Sequence, residues 1–171
     1  MIIGCCDSRV DPATIFDTVP GQAFILRNVA NLVPPFEQGG GLHGVSAALE
    51  FAVTKLEVKH IVVMGHGACG GISAALAGHG EPDRIFIDKW IGLLDRARDK
   101  VVAEAPANPQ HALELEGVKV SLDNLRSFPF VAEREAAGTL KLHGCWFAIA
   151  EGTLYELDER AGQFAPVPEA A

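Results

Sequence analysis

The stretch His60-Ile61-Val62-Val63-Met64-Gly65-His66-Gly67-Ala68-Cys69-Gly70-Gly71 sets the fold class. From His60 to Met64 it is a continuous apolar run rich in β-branched side chains, the pattern of a central parallel strand covered on both faces. Gly65 to Gly71 forms a tight turn, and Ile72 to Ala77 begins a helix. Before this unit, Val45, Ala48, Leu49, Ala52, Val53 and Leu56 fall at i, i+3, i+4, i+7, i+8 and i+11, an amphipathic helix entered from the loop Gly39-Gly40-Gly41. Earlier still, Met1 to Cys5 reads as a short buried strand that breaks at Asp7-Ser8-Arg9, and Ala23 to Arg27 as a second strand. Between them Asp11-Pro12 opens a short helix, with Asp as N-cap and Pro at the first helical position. After it, Asp83 to about Arg126 is mainly helical with breaks near Pro106 and Pro109. Ser127-Phe128-Pro129 punctuates the chain, and Val131 to Ala137 is a short helix. Thr139 to Ala150 alternates as a strand, Glu151-Gly152 turns, and Thr153 to Leu157 pairs back as a hairpin. The last residues, rich in Pro, Ala and Glu, read as a frayed tail. No internal repeat or interdomain linker is visible. Residues 1–171 therefore read as one α/β domain, its mostly parallel central sheet in order 2-1-3 with further strands and flanked by helices.

Composition narrows the function. At 49% hydrophobic and 21% charged, the 171-residue chain is not intrinsically disordered as a whole. Fourteen Lys and Arg against 22 Asp and Glu give a net charge of −8, which argues against nucleic acid or an anionic membrane as the main partner, since both need a basic footprint. No apolar stretch approaches a membrane span and no basic leader opens the chain, so the expected location is cytoplasmic.

In that setting the four cysteines at 5, 6, 69 and 145 are candidates for buried hydrophobes, metal ligands or nucleophiles rather than disulfides. Cys5 and Asp7 lie at the carboxyl end of the first strand, His66 and Cys69 at that of the third. In an open parallel sheet ligands bind outside the carboxyl ends of strands, where the strand order reverses. With order 2-1-3, two thiolates, an imidazole and a carboxylate converge there, a donor set that suits Zn²⁺. The small spacers in His66-Gly67-Ala68-Cys69 let two ligands three apart face one ion. Cys6 is expected on the opposite side from Cys5 and packed, and Cys145 in the core. His43, His60, His79, His111 and His143 show no partner in sequence and read as surface or satisfied packing, with His43 a candidate proton shuttle.

Cys5-Cys6-Asp7-Ser8-Arg9 together with His66-Gly67-Ala68-Cys69-Gly70-Gly71 resembles the paired signature of the β-class carbonic anhydrases. The likeness continues through Arg27-Asn28-Val29-Ala30-Asn31, Ala47-Ala48-Leu49-Glu50-Phe51, Ser121-Leu122-Asp123-Asn124-Leu125 and Leu142-His143-Gly144, nearly the whole chain. It implies a zinc lyase that interconverts carbon dioxide and bicarbonate through zinc-bound hydroxide. Cys5, His66 and Cys69 would be ligands, and Asp7 either a fourth ligand in a closed state or the partner of Arg9 in an open one. It implies further that Phe24, Val29, Phe51 and Gly70 line the substrate pocket, with Phe51 where a tyrosine is common, and that the protein is a homodimer or higher homo-oligomer. Family members carry a helical segment before the first strand that wraps a neighbouring subunit and supplies a glutamine, whereas this sequence starts at the strand. Ile2 stands where the bicarbonate-regulated subclass has tryptophan, which points to the unregulated, open-site subclass.

Other readings compete. Hydrolysis of carbonyl sulfide or carbon disulfide on the same site, or a non-catalytic zinc module closed by Asp7, would use the same residues. Gly65 to Gly70 also matches GxGxxG, with Asp83 or Asp88 near the ribose distance, but it follows the third strand and leaves the Cys5 cluster unexplained. A P-loop is excluded by Gly71 at the lysine position. A phosphatase-type cysteine is excluded by Asp11 and Pro12 where arginine is required.

Overall fold

A computed structural model describes residues 1–39, 41–80 and 84–168; Gly40 and Asp83 lie outside the described residues. The chain runs β1 (Ile2–Cys5), α1 (Pro12–Ile15), β2 (Ile25–Asn28), α2 (Gly44–Thr54), β3 (His60–His66), α3 (Gly70–Ala77), α4 (Ile87–Ile91), α5 (Asp95–Glu104), α6 (Pro109–Arg126), α7 (Pro129–Ala136), β4 (Lys141–Ala148), β5 (Thr153–Asp158) and β6 (Gln163–Pro166), with short 3-10 turns at Val29–Asn31 and Gly92–Leu94. The six strands form one sheet in the order β2-β1-β3-β4-β5-β6, the first four parallel and the last two antiparallel.

The sheet is the predicted mostly parallel one, and the 2-1-3 order holds. β3 lies inside it, and its side chains alternate between two buried clusters. Ile61 and Val63 pack with Leu49, Val118 and Leu122, while Val62 and Met64 pack with Ile72, Leu94 and Leu113. Such two-sided burial accounts for an apolar run without polar alternation. Asp11 caps α1 by accepting the Thr14 backbone N–H at 3.0 Å, with Pro12 at the first helical position, as the sequence signals. In α2 the apolar stripe is buried at Leu49, Ala52 and Val53. Leu56 falls beyond the helix end and is exposed, so the stripe is one position shorter than its periodicity suggests. The helical region after residue 84 breaks at Ala105, which takes a left-handed conformation (φ 46°) just before Pro106.

The C-terminal region corrects the sequence reading. Gln163–Pro166, where the expected tail begins, is a strand that pairs Leu157 with Phe164 and Glu156 with Ala165, while residues 169–171 of that tail lie outside the described residues. Its cause is a tight turn: Asp158 Oδ1 accepts the backbone N–H groups of Arg160 and Ala161, and Gly162 adopts φ +68°. Pro166 is tolerated because β6 is the edge strand, where no ladder donor is needed on the outer side.

Two glycines let α6 lie against the sheet. A Cβ on Gly65 would stand 2.8 Å from Val118 Cγ2, and one on Gly144 would stand 2.9 Å from both Leu122 Cδ1 and Val118 Cγ1. Gly144→Val is therefore expected to destabilise the protein by about 1–3 kcal/mol through overpacking. Thermal unfolding checks it, and an unchanged midpoint would show that α6 yields without cost.

Candidate metal centre

β1 and β3 are parallel neighbours, so their carboxyl ends leave the sheet from the same edge. Cys5 is the last residue of β1 and His66 the last of β3. Gly67 and Ala68 then turn the chain back, Ala68 in the left-handed region at φ 54°, and deliver Cys69 to the N-cap of α3. The Sγ atoms of Cys5 and Cys69 are 4.0 Å apart, and with a ring nitrogen of His66 all three candidate ligand atoms lie within 4.8 Å of one another. All three residues are buried. Among the described residues no other group of three His, Cys, Asp or Glu side chains converges in this way.

The imidazole is already oriented. His66 Nδ1 donates to the Gly67 carbonyl at 2.9 Å, since a carbonyl oxygen can only accept. This tautomer leaves a lone pair on Nε2, which is buried with no hydrogen-bond partner. An unpartnered buried polar atom costs about 1–3 kcal/mol, so this nitrogen calls for a ligand. The thiols make the same demand. Cys5 is pulled down from the ordinary thiol range, first by its contact with Cys69 and, against the opposing effect of burial, by His66 and the backbone N–H groups of Asp7 and Ala30. Cys69 is pushed up by that same contact and by burial, although the backbone N–H groups of Gly71 and Ile72 at the start of α3 favour its thiolate. The pair gives up one proton readily and holds the second, as two close acids must. A cation between them removes that obstacle, and two thiolates with one neutral imidazole are a donor set that fits zinc.

Asp7 and Arg9 sit at the rim. Arg9 Nη2 donates to Asp7 Oδ2 at 2.6 Å, and both its Nε and its backbone N–H donate to Oδ1 at 2.9 Å. This fork holds the Asp7 carboxyl far below the usual carboxylate range. Arg9 Nη2 also donates to the Ala68 carbonyl at 3.1 Å and so ties the β1 loop to the β3 loop. Of the two arrangements expected for Asp7, its carboxylate here takes the ion pair with Arg9.

On this single chain the expected pocket residues stand at separate places. Phe24 and Phe51 pack against each other, ring centroids 6.0 Å apart, with Phe51 half exposed. Val29 instead lines a separate apolar cavity of about 680 Å³ with Cys6, Phe86 and Trp90. Gly70 opens α3 and is exposed, with nothing within 4 Å of where its Cβ would be. Cys6 is exposed rather than packed, because β1 ends at Cys5 and strand alternation stops there. Cys145 is buried as expected, and burial pushes its thiol up to about 12. The histidines have partners that sequence did not reveal. His60 Nδ1 lies 3.0 Å from His143 Nε2, His143 Nδ1 2.8 Å from Glu156, and His79 Nε2 2.5 Å from Asp95. His111 stands edge-on to Trp146, and His43 Nε2 bonds to the Gly39 carbonyl.

Two supporting residues escaped notice as such. Arg27 donates from Nε to the Cys5 carbonyl at 2.8 Å and from Nη2 to the Asp7 carbonyl at 2.6 Å, holding the loop that carries both side chains. Glu114 accepts the Cys69 backbone N–H at 3.2 Å. A signal for it existed: Glu114, Val118, Ser121 and Leu125 are spaced i, i+4, i+7 and i+11, so a carboxylate occupies the buried stripe of α6.

Comparison with known proteins places this arrangement. The family model described as carbonic anhydrase matches residues 1–154. The mitochondrial β carbonic anhydrase 6 of Arabidopsis thaliana is 36% identical over 160 residues, 90% of this chain, and the chain spans about half the length of that relative (54%). The solved structure of the β-carbonic anhydrase CcaA superposes with a TM-score of 0.90 at 29% identity, over 98% of this chain and 77% of that one. Structures of two tetrameric β-carbonic anhydrases from Sordaria macrospora give a TM-score of 0.82 at 32% identity, over 98% and 81%. With the Cys5–His66–Cys69 cluster at the strand ends, the family match over residues 1–154 and these superpositions, the chain belongs to the β-carbonic anhydrase family.

Proposed function

We propose that residues 1–171 form one zinc-dependent unit that interconverts carbon dioxide and bicarbonate, with Cys5, His66 and Cys69 as the zinc ligands. The observation that carries this reading is the buried, partnerless Nε2 of His66 in a cluster with the Cys5 and Cys69 thiols whose candidate ligand atoms all lie within 4.8 Å of one another. Zinc bound there supplies Lewis acidity, which brings the pKa of water from 15.7 to roughly 7 and makes a nucleophile available near neutrality.

The protein's own groups do the rest. Cys5 and Cys69 contribute two negative charges and so temper that acidity, which raises the value of a well-placed hydrogen-bond acceptor. Asp7 is that acceptor. Kept ionised by the Arg9 fork, it takes a hydrogen bond from the attacking oxygen and leaves a lone pair turned toward carbon dioxide. Arg9 also anchors this carboxylate to the opposite loop through Ala68, so the acceptor keeps its place during turnover. An Asp7 held on both oxygens by arginine leaves the fourth position of a Cys–His–Cys site open, which favours catalysis over a closed structural module. Val29, Phe24, Phe51 and Gly70 are proposed to border the path of the apolar substrate.

The chain is proposed to act as a homodimer or higher homo-oligomer. Val29, Phe51, Ile85 and Phe86 are exposed apolar side chains, a distribution that fits a covered surface. The Sordaria macrospora relatives are tetrameric. The proposed location is the cytoplasm, where thiols stay reduced; none of the four cysteines is in a disulfide. No helix among the described residues is long and apolar enough to cross a membrane.

Three outcomes are expected. Cys69→Ser lowers zinc content and carbon dioxide hydration together in samples assayed for both, and full zinc occupancy in this variant would contradict the ligand assignment. Asp7→Asn keeps its zinc but lowers hydration by about 100-fold, the scale of a positioned proton acceptor. Because the Asp7 carboxyl is held far below the usual range, it stays ionised from neutrality down through mildly acid pH. The fall in wild-type activity from about pH 9 to 6 then belongs to the water, not to Asp7. A stopped-flow profile flat over that interval, with zinc bound, would exclude the mechanism; the same samples given carbonyl sulfide would identify a preference for that substrate.

A further inference from the structure

Glu114 lies on α6, 45 positions after Cys69, and is 3% exposed. Its Oε1 accepts the Cys69 backbone N–H at 3.2 Å and Gln110 Nε2 at 2.8 Å, and its Oε2 accepts the indole N–H of Trp146 at 3.1 Å. Gln110 Nε2 also donates to the Cys69 carbonyl at 3.0 Å. Glu114 and Gln110 thus grip both polar backbone groups of one residue, a thiol of the metal cluster.

A neutral side chain would satisfy packing here at less cost. Burial of a carboxylate is expensive without a cation in contact, and the nearest cationic candidate, the partly exposed His111 ring, is 3.8 Å away. Nor does close packing hold the carboxylate, since Glu114 borders a cavity of about 750 Å³ lined also by Gly67, Ala68, His111 and Trp146. Hydrogen bonds hold it, and two of its three donors belong to Cys69 or to the side chain that bonds Cys69. The turn it braces contains Ala68 at φ 54°, a conformation that a non-glycine residue keeps only when its surroundings impose it.

We infer that Glu114, assisted by Gln110, is a positioning residue that fixes the Cys69 peptide so that its sulfur faces Cys5 and His66. The inference rests on the zinc reading of that cluster. In Glu114→Gln one carboxylate oxygen becomes an NH₂, which must face either the Trp146 N–H or the Cys69 and Gln110 donors. Donor then meets donor, and the grip on Cys69 loosens.

The test measures zinc affinity by chelator competition, and the thiolate-to-metal absorption of the cobalt-substituted protein, in the full chain and its variants. Glu114→Gln is expected to weaken zinc binding by about 10- to 100-fold, the usual effect of losing a group that orients a ligand, and to shift the cobalt spectrum. Trp146→Phe removes the Oε2 hydrogen bond and trims the ring contacts with His111 and Tyr155 but leaves both Cys69 backbone bonds in place, and it is expected to lower the unfolding midpoint while leaving both metal readouts unchanged. Equal metal effects in the two variants would reduce the role of Glu114 to general stability and overturn the inference. So would wild-type affinity and spectrum in Glu114→Gln when the parent chain binds zinc. A parent chain that binds no zinc overturns the zinc reading and this inference with it. If Glu114→Gln does not fold, Gln110→Leu carries the test: a smaller loss of affinity with the fold intact is expected, and no loss overturns the proposal.

Discussion

Everything at the candidate metal centre depends on the parallel pairing of β1 with β3. Ile2 opposes Val62, Ile3 opposes Val63 and Gly4 opposes Met64, so the next residue along each strand is Cys5 on one side and Gly65 on the other, with His66 one step further. Antiparallel strands would send these ends to opposite edges of the sheet. A register slip of a single residue would turn the buried side chains of β1 to the wrong face. The pairing is secured from both sides. β1 bonds to β2 as well, and β3 bonds to β4 over seven residue pairs, so neither strand is free to slide.

A second constraint is electrostatic. Bringing two thiols and an imidazole into a buried space is unfavourable unless their charges and lone pairs are answered. The backbone answers part of this: N–H groups from Asp7 and Ala30 reach Cys5, and those of Gly71 and Ile72 reach Cys69. What remains is a buried nitrogen without a partner and a second thiol whose proton its neighbour and burial favour, and one cation would answer both. Outside this buried core the logic changes. Asp7 and Arg9 are partly exposed and contribute little to stability, yet their forked contact fixes where a carboxylate stands relative to the metal loops.

The supporting residues form a ring around the centre drawn from distant parts of the chain. Arg27 holds the backbone of the Cys5–Asp7 loop, Arg9 joins that loop to Ala68, and Glu114 with Gln110 holds Cys69 from behind. Each of these side chains bonds at least one main-chain carbonyl or N–H of the two loops. The loops that carry the candidate ligands lie beyond the strand ladder, so side chains supply the rigidity that the ladder supplies elsewhere.

Much of this was legible in the sequence because it is local or periodic. The apolar run at residues 60–64, the Asp11-Pro12 cap and the spacing of Cys5, Asp7, His66 and Cys69 follow from near-neighbour geometry, and they determined the fold class, the strand ends and the candidate ligands. Failures occurred where the outcome depends on contacts remote in sequence. The strand at 163–166 exists because a turn at Asp158–Gly162 returns it to β5, although its Pro- and Ala-rich composition suggests a tail. Cys6 escapes burial because the strand ends one residue earlier. By itself, the sequence determined which atoms could meet a metal, since ligand chemistry is a property of residue type and spacing. Tertiary structure alone decided that the Asp7 carboxylate pairs with Arg9 and that Glu114 braces Cys69, because those contacts join loops and a helix that only the packed sheet brings within hydrogen-bonding distance.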